Sequence, residues 1–135
     1  MPRFVVLLHE PPPGYSRGTH YDLMLEFGPV LRTWALSELP VVGRTLVADR
    51  LPDHRLAYLD FEGQTASVGQ VRRVAAGEYR LLDESPGAVV VMLMRSDLQG
   101  RLSIVAEEPE PPGSESQAAG GAASAQRWRI SLSAD

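Results

Sequence analysis

Residues His20–Phe27 read His-Tyr-Asp-Leu-Met-Leu-Glu-Phe, and their side chains divide into two alternating sets. Successive side chains of a β-strand point to opposite faces, so one set is expected to fill a core while the other lines a surface or cleft. The core-facing set is Tyr21, Leu23, Leu25 and Phe27. The cleft-facing set is His20, Asp22, Met24 and Glu26. The alternation predicts a strand that carries a polar face.

That polar face is suited to a cation. An imidazole and a carboxylate two residues apart on one strand leave the backbone about 7 Å apart and in parallel, so they can converge on one ion. His9 adds a third candidate ligand, because it ends an apolar, strand-like run at residues 3–8. Two imidazoles and a carboxylate form the facial set favoured by Mn, Fe or Zn. The alternative is structural: polar residues on a solvated strand, with His9 hydrogen-bonded in a core.

Further along the chain, Asp53-His54 is either a turn stabilised by its aspartate or a second polar contribution to the same site. In an extended segment Tyr58 would share a face with His54. The alternative is that Tyr58 fills the interior. All three histidines lie in the first half of the chain.

Length and composition narrow the class of protein. A chain of 135 residues is expected to form one domain, 1–135. No apolar run approaches the roughly 20 residues of a membrane helix, and the N-terminus lacks the features of a signal peptide. The chain has no cysteine, which excludes disulfides and thiolate metal sites. We therefore expect a soluble, cytoplasmic protein with no membrane partner. Its net charge of -4 neither supports nor excludes a nucleic-acid partner.

Short apolar runs separated by turn signals predict an all-β fold, a small closed or nearly closed antiparallel β-barrel with long loops. Gly28-Pro29 marks the turn of a hairpin between residues 20–27 and 30–36. Residues 51–54 are predicted to form a loop, and 55–61 a short strand or helical turn. Residues 70–74 and 78–83 are predicted to be separate strands, divided at Gly77. The acidic, then Ala-, Gly- and Ser-rich segment 106–126 is predicted to be a disordered loop between the last two strands.

Several motifs, in the same order, resemble the 3′-phosphoesterase module of bacterial DNA ligase D. That family has Lys-His-Asp at the end of its first strand, then Leu-His-Tyr-Asp-Phe-Arg-Leu-Glu, Gly-Val-Leu-Lys-Ser-Trp-Ala-Val-Pro and Asp-His-Pro-Leu-x-Tyr-x-x-Phe-Glu-Gly. The matching stretches here are Leu-His-Glu at 8–10, Thr-His-Tyr-Asp-Leu-Met-Leu-Glu at 19–26, Gly-Pro-Val-Leu-Arg-Thr-Trp-Ala-Leu at 28–36 and Asp-His-Arg-Leu-Ala-Tyr-Leu-Asp-Phe-Glu-Gly at 53–63. The likeness continues more loosely through residue 105 and the closing strand at 127–130.

The resemblance implies a small β-barrel enzyme that binds Mn²⁺, or another divalent transition metal, through His9, His20 and Asp22. It implies that His54 and Tyr58 hold or activate the substrate phosphate. Members of the family are hydrolases of DNA repair and non-homologous end joining that remove a 3′-phosphate or 3′-terminal ribonucleoside. The implied partners are DNA 3′ ends, in a primer–template or nicked duplex, and a separate ligase or polymerase.

The chain departs from the family pattern in two places. The family arginine two residues after the aspartate, expected to grip the phosphate, is Met24 here, and methionine cannot make a bidentate phosphate contact. Arg17, Arg32 and Arg55 are the residues that could substitute for it. Together with Glu26 they are the predicted substrate-binding residues. The family's glycine-rich Ile-Pro-x-Gly-x-Tyr-Gly segment is shortened to residues 64–69, which changes one wall of the expected groove.

Two other classes of function fit the same residues. One is a catalytically degenerate barrel that binds metal and serves as a DNA- or protein-binding module, an interpretation that Met24 favours. The other is a small non-heme iron enzyme, cupin-like or of the His-x-Asp…His oxygenase type, with His54 as the distal histidine.

Overall fold

The computed structural model describes residues 1–15, 17–65, 69–107 and 127–134. In these residues nine β-strands and one short 3₁₀ helix follow one another along the chain. The strands are β1 (Arg3–Glu10), β2 (His20–Phe27), β3 (Val30–Leu36), β4 (Thr45–Arg55), β5 (Gly63–Thr65), β6 (Gly69–Ser85), β7 (Ala88–Met94), β8 (Gly100–Ala106) and β9 (Arg127–Ser133). The 3₁₀ helix, Leu56–Leu59, lies between β4 and β5. None of the described helical structure has the length and apolar character needed to span a membrane.

Eight of the strands form a ring in the order β1-β2-β3-β4-β9-β8-β7-β6, and a β6–β1 pairing returns to the start. Every pairing between named strands is antiparallel, and β5 adds to the free edge of β6. This confirms the predicted all-β class and its nearly closed antiparallel sheet. The β2–β3 hairpin also forms as predicted, through Gly28, whose φ of 58° lies in the left-handed region.

All eight ring strands contribute to one set of buried side chains, which we call the interior cluster. Because every strand of the ring contributes side chains to this cluster, the cluster lies inside the ring. Its members are Phe4, Val6, Leu23, Leu25, Trp34, Leu36, Leu46, Ala48, Tyr79, Val89, Val91, Leu93, Leu102, Ile104, Trp128, Ile130 and Leu132. Two of its members, Trp34 and Trp128, meet edge to face, with ring centroids 5.7 Å apart. Burial raises the pKa of Tyr79 to about 12, and its hydroxyl donates to the Glu26 carbonyl at 2.5 Å.

A second buried set, the outer cluster, lies on the opposite face of the first strands. In β1 and β2 its members alternate with interior ones, as Val5 and Met24 do. The members are Val5, Leu7, Met24, Leu31, Leu59 and Val71. The 3₁₀ helix packs on this face through Leu56, Leu59 and Tyr58. Arg73 stabilises this position of the helix, because its guanidinium donates to the Leu59 carbonyl at 3.1 Å. The outer face of β2 is therefore covered where the helix lies.

Three local predictions are corrected. Residues 51–54 are not a loop but the end of β4, and Pro52 is tolerated there because β9 pairs only with residues 45–49, which leaves this part of β4 at an edge. Residues 70–74 and 78–83 belong to one continuous strand, β6. Gly77 marks a close approach and not a turn, since a Cβ there would lie 2.5 Å from the Met94 carbonyl oxygen. The helical-turn alternative for 55–61 is confirmed as the 3₁₀ helix.

The first two residues of the segment predicted to be a disordered loop, Ala106 and Glu107, are paired with β9 instead. Ala106 still belongs to β8 and pairs with Trp128. The Glu107 N–H donates to the Arg127 carbonyl at 2.9 Å. The rest of that prediction, residues 108–126, lies outside the described residues.

Candidate metal centre

The three predicted metal ligands meet on the outer face of the ring. In the β1–β2 ladder, His9 is directly opposite His20 and Leu7 is directly opposite Asp22. Directly opposed side chains in an antiparallel pair have Cβ atoms about 5 Å apart, so this register brings both imidazoles and the carboxylate together. Their candidate ligand atoms lie within 4.8 Å of one another, and all three residues are buried. The cluster can therefore hold a metal ion.

The hydrogen bond of His20 determines which of its nitrogens is free. His20 Nδ1 lies 2.6 Å from the Gly18 carbonyl oxygen, which can only accept, so Nδ1 carries the proton. In the neutral ring, Nε2 then presents a lone pair, 3.1 Å from Asp22 Oδ1. Backbone carbonyls commonly orient metal-binding histidines in this way.

Asp22 is the electrostatic centre of the cluster. The residue is 4% exposed, and Oδ1 is buried with no hydrogen-bond partner, so its short contact with His20 lacks hydrogen-bond geometry. A carboxylate oxygen and an imidazole lone pair at this distance repel unless a cation or proton lies between them. The donor set thus fits a divalent ion, because it leaves a buried anionic oxygen that protein groups do not satisfy.

Two opposing effects act on the pKa of Asp22. Burial alone would raise it, but contact with His20, and then with His9, favours the carboxylate when the imidazoles are protonated. The second imidazole is close, with His9 Nδ1 3.5 Å from Asp22 Oδ2. The net effect is a pKa for Asp22 below its ordinary value. Asp22 is therefore ionised, as a metal ligand must be.

The cluster opens into a cavity of about 480 Å³ on the outer face, a size typical of small-ligand sites. The cavity is lined by His9, Tyr15, Arg17, His20, Asp22, Leu51, Pro52, Asp53 and His54. The cluster thus has an open side that a ligand can reach.

A bulge in β4 brings His54 to this cavity. In the β3–β4 ladder, Thr33 pairs with Leu51 and Leu31 pairs with His54, so β4 has one residue more than β3 over this stretch. Without the extra residue, Asp53 would oppose Leu31, and His54 would point to the other face. His54 Nδ1 donates to the Pro52 carbonyl at 2.9 Å, which leaves Nε2 for a ligand.

Tyr58 lies next to His54 rather than along the described cavity wall. Its ring meets the His54 ring edge to face, with centroids 5.4 Å apart, and the Phe61 ring at 5.5 Å. It also packs against the outer cluster. The structure therefore brings Tyr58 into contact with His54, where it can orient the imidazole.

The predicted substrate-binding residues are distributed unevenly. Arg17 lines the cavity and pairs with Asp49, Nη1 to Oδ2, at 3.0 Å. Arg32 is directed elsewhere, since its guanidinium lies 4.0 Å from the centroid of the Phe27 ring and pairs with Glu84. Arg55 is exposed at the end of β4, outside the described cavity lining. Glu26 accepts a hydrogen bond from the Arg3 backbone N–H at 2.9 Å.

Met24 does not line the cavity. It is 1% exposed and belongs to the outer cluster. The strand position at which the resemblance predicted a phosphate-gripping arginine is thus occupied by a residue that contributes to packing. Arg17 is the arginine among the described residues that line this cavity.

Three residues of the cavity, Tyr15, Leu51 and Pro52, are not among the site residues predicted from the sequence. Leu51 and Pro52 were assigned to a loop, although they lie in β4. Tyr15 is on the connection between His9 and His20, and a connection between two ligand-bearing strands necessarily starts and ends at the site. That topological signal was present in the sequence.

No family model matches this chain, and no curated protein matches it with significance.

Proposed function

We propose that the protein is a metal-dependent phosphoesterase acting on DNA 3′ ends, where it removes a 3′-phosphate or a 3′-terminal ribonucleotide during DNA repair and end joining. The observation that supports this most is the buried His9–His20–Asp22 cluster at the floor of an open cavity that also holds His54. The resemblance of the surrounding motifs to the DNA ligase D 3′-phosphoesterase module gives the substrate class. Mn²⁺ is the proposed metal.

In this proposal each residue has a defined task. His9, His20 and Asp22 hold the ion, which when bound supplies Lewis-acid polarisation of a phosphoryl oxygen. The Pro52 carbonyl fixes the ring of His54. His54 Nε2, when protonated, donates to a phosphate oxygen and offsets the charge that develops there. Tyr58 positions that imidazole through their ring contact. Arg17 binds the phosphate from the rim of the cavity.

The test is phosphate release from a primer–template that ends in a 3′-phosphate, with Mn²⁺ and with chelator, comparing the wild type with His20→Ala. We expect metal-dependent release that the substitution abolishes. Asp53→Asn is a matched control, because Asp53 is an exposed acid of the same cavity outside the ligand cluster. Release that persists in chelator, or in His20→Ala, would contradict the proposal.

A metal-binding module without catalysis is the second candidate, and the burial of Met24 favours it. With no arginine at this strand position, phosphate binding depends on Arg17, which is already paired with Asp49. Mn²⁺ binding without release of phosphate or ribonucleotide from any 3′ end would favour the second candidate.

A further inference from the structure

Tyr15 follows a proline-restricted part of the β1–β2 connection. The chain leaves β1 through three consecutive prolines, residues 11–13, whose φ angles are fixed. Gly14 then has a φ of 88°, which favours glycine, and the Tyr15 N–H closes the turn on the Pro12 carbonyl at 3.2 Å. The backbone therefore restricts where the Tyr15 ring can lie before any ligand binds.

The ring of Tyr15 stands at the wall of the site cavity. It meets the His9 ring in an edge-to-face arrangement, with centroids 5.9 Å apart. Despite this contact Tyr15 is 49% exposed, and it lines the same cavity as Asp22 and His54. An isolated exposed aromatic needs no explanation, but this one is anchored to a candidate metal ligand and keeps about half of its surface open.

We propose that Tyr15 forms a nucleobase-stacking subsite, and that the site selects nucleic-acid 3′ ends whose terminal nucleotide carries an intact base. The inference rests on the proposed function and specifies its substrate. A base has an apolar π-face of any sequence, and aromatic side chains bind single bases by stacking without reading their edges. Because Tyr15 touches His9, a base on its ring and a phosphate at the metal cluster would belong to the same terminal nucleotide.

The histidines and the arginine of the cavity are suited to binding the metal ion or the phosphate. Besides Tyr15, three of the described residues that line the cavity carry an aromatic ring, and all three are histidines. His9 and His20 belong to the metal cluster. Arg17 and His54 are suited to phosphate, being a cation and a donor. Tyr15 is thus the described cavity residue with both an aromatic face and no other assigned task.

The experiment compares two 3′-phosphorylated primer–templates, one with a normal terminal nucleoside and one with an abasic terminal residue. Binding is measured by fluorescence anisotropy in chelator, and phosphate release in Mn²⁺. For the wild type we expect a preference for the intact base of about 5- to 150-fold in Kd, the range of one stacked base. Tyr15→Ala should bind both substrates equally, whereas Tyr15→Phe should keep the preference, because phenylalanine stacks but lacks the hydroxyl. Val105→Ala, at an exposed apolar residue of β8, is the control for surface truncation.

The outcomes separate this inference from the proposed function. Metal-dependent release from both substrates at equal rates and affinities, unchanged in Tyr15→Ala, would overturn the stacking subsite and leave the phosphoesterase standing. Base-dependent binding that Tyr15→Ala abolishes, without release, would support the subsite and overturn the hydrolase. A preference lost in Tyr15→Phe would also overturn stacking, because it would assign the effect to the hydroxyl.

Discussion

Both faces of β2 are buried, but one packs in the hydrophobic interior and the other carries two candidate metal ligands. The inner face contributes Leu23 and Leu25 to the interior cluster, whose members come from all eight strands of the ring. The outer face changes along its length, from the polar pair His20 and Asp22 at the cavity to Met24 beneath the 3₁₀ helix. Burial on the inner face stabilises the fold, whereas burial beside His20 places an unsatisfied carboxylate oxygen of Asp22 where an ion can satisfy it.

The largest effect should come from Met24→Arg. An unpaired guanidinium in the outer cluster loses its hydration without gaining a carboxylate, so we expect a loss of about 4 kcal/mol in the free energy of unfolding. Chemical denaturation measures it. Met24→Leu, which nearly conserves volume, is the control and should cost less than about 1.5 kcal/mol. A stable Met24→Arg protein would mean that the 3₁₀ helix moves aside and that position 24 is open to the cavity.

A somewhat smaller effect is expected from Leu23→Ala on the inner face. Leu23 is fully buried, and truncation leaves a cavity in the interior cluster, which costs about 3 kcal/mol of stability. The variant should bind Mn²⁺ with the affinity of the wild type at a temperature where both are folded, because no ligand atom is changed. Calorimetric titration of the folded variant checks this. A large loss of Mn²⁺ affinity would show that the two faces are not independent.

The two faces of β2 could be predicted from the sequence, but the direction of His54 and the packing of Met24 could not. Alternation in residues 20–27 indicates the strand and both of its sets, and the His9–His20–Asp22 cluster follows once β1 pairs with β2. The outward direction of His54 could not be predicted, because it depends on a bulge that is visible only in the β3–β4 register. The role of Met24 depends on where the 3₁₀ helix packs, which is a tertiary contact. Gly77 was misread because close approach and turns both favour glycine.

The smallest effect should appear in acid, at Asp22. Its pKa in the folded protein is lowered, so its carboxylate stabilises the fold above the unfolded-state pKa of 3.8, and this contribution is lost as the pH falls through the folded-state value. Without metal, the stability of the wild type should therefore fall more steeply below about pH 4 than that of Asp22→Asn. Thermal melts in chelator over this pH range measure the difference. Parallel curves for the two proteins would mean that Asp22 has no favourable partner in the fold.

Binding of a divalent ion by His9, His20 and Asp22 can be measured by titrating Mn²⁺ into the wild type, Asp22→Asn and Asp53→Asn. Free Mn²⁺ is followed by electron paramagnetic resonance. At pH 8 we expect one ion bound by the wild type and Asp53→Asn, and binding lost in Asp22→Asn. At pH 5 binding by the wild type should weaken, because imidazole ligands, with an ordinary pKa of about 6.5, must be neutral to coordinate. Equal affinity in Asp22→Asn, or equal affinity at the two pH values, would contradict the assigned cluster.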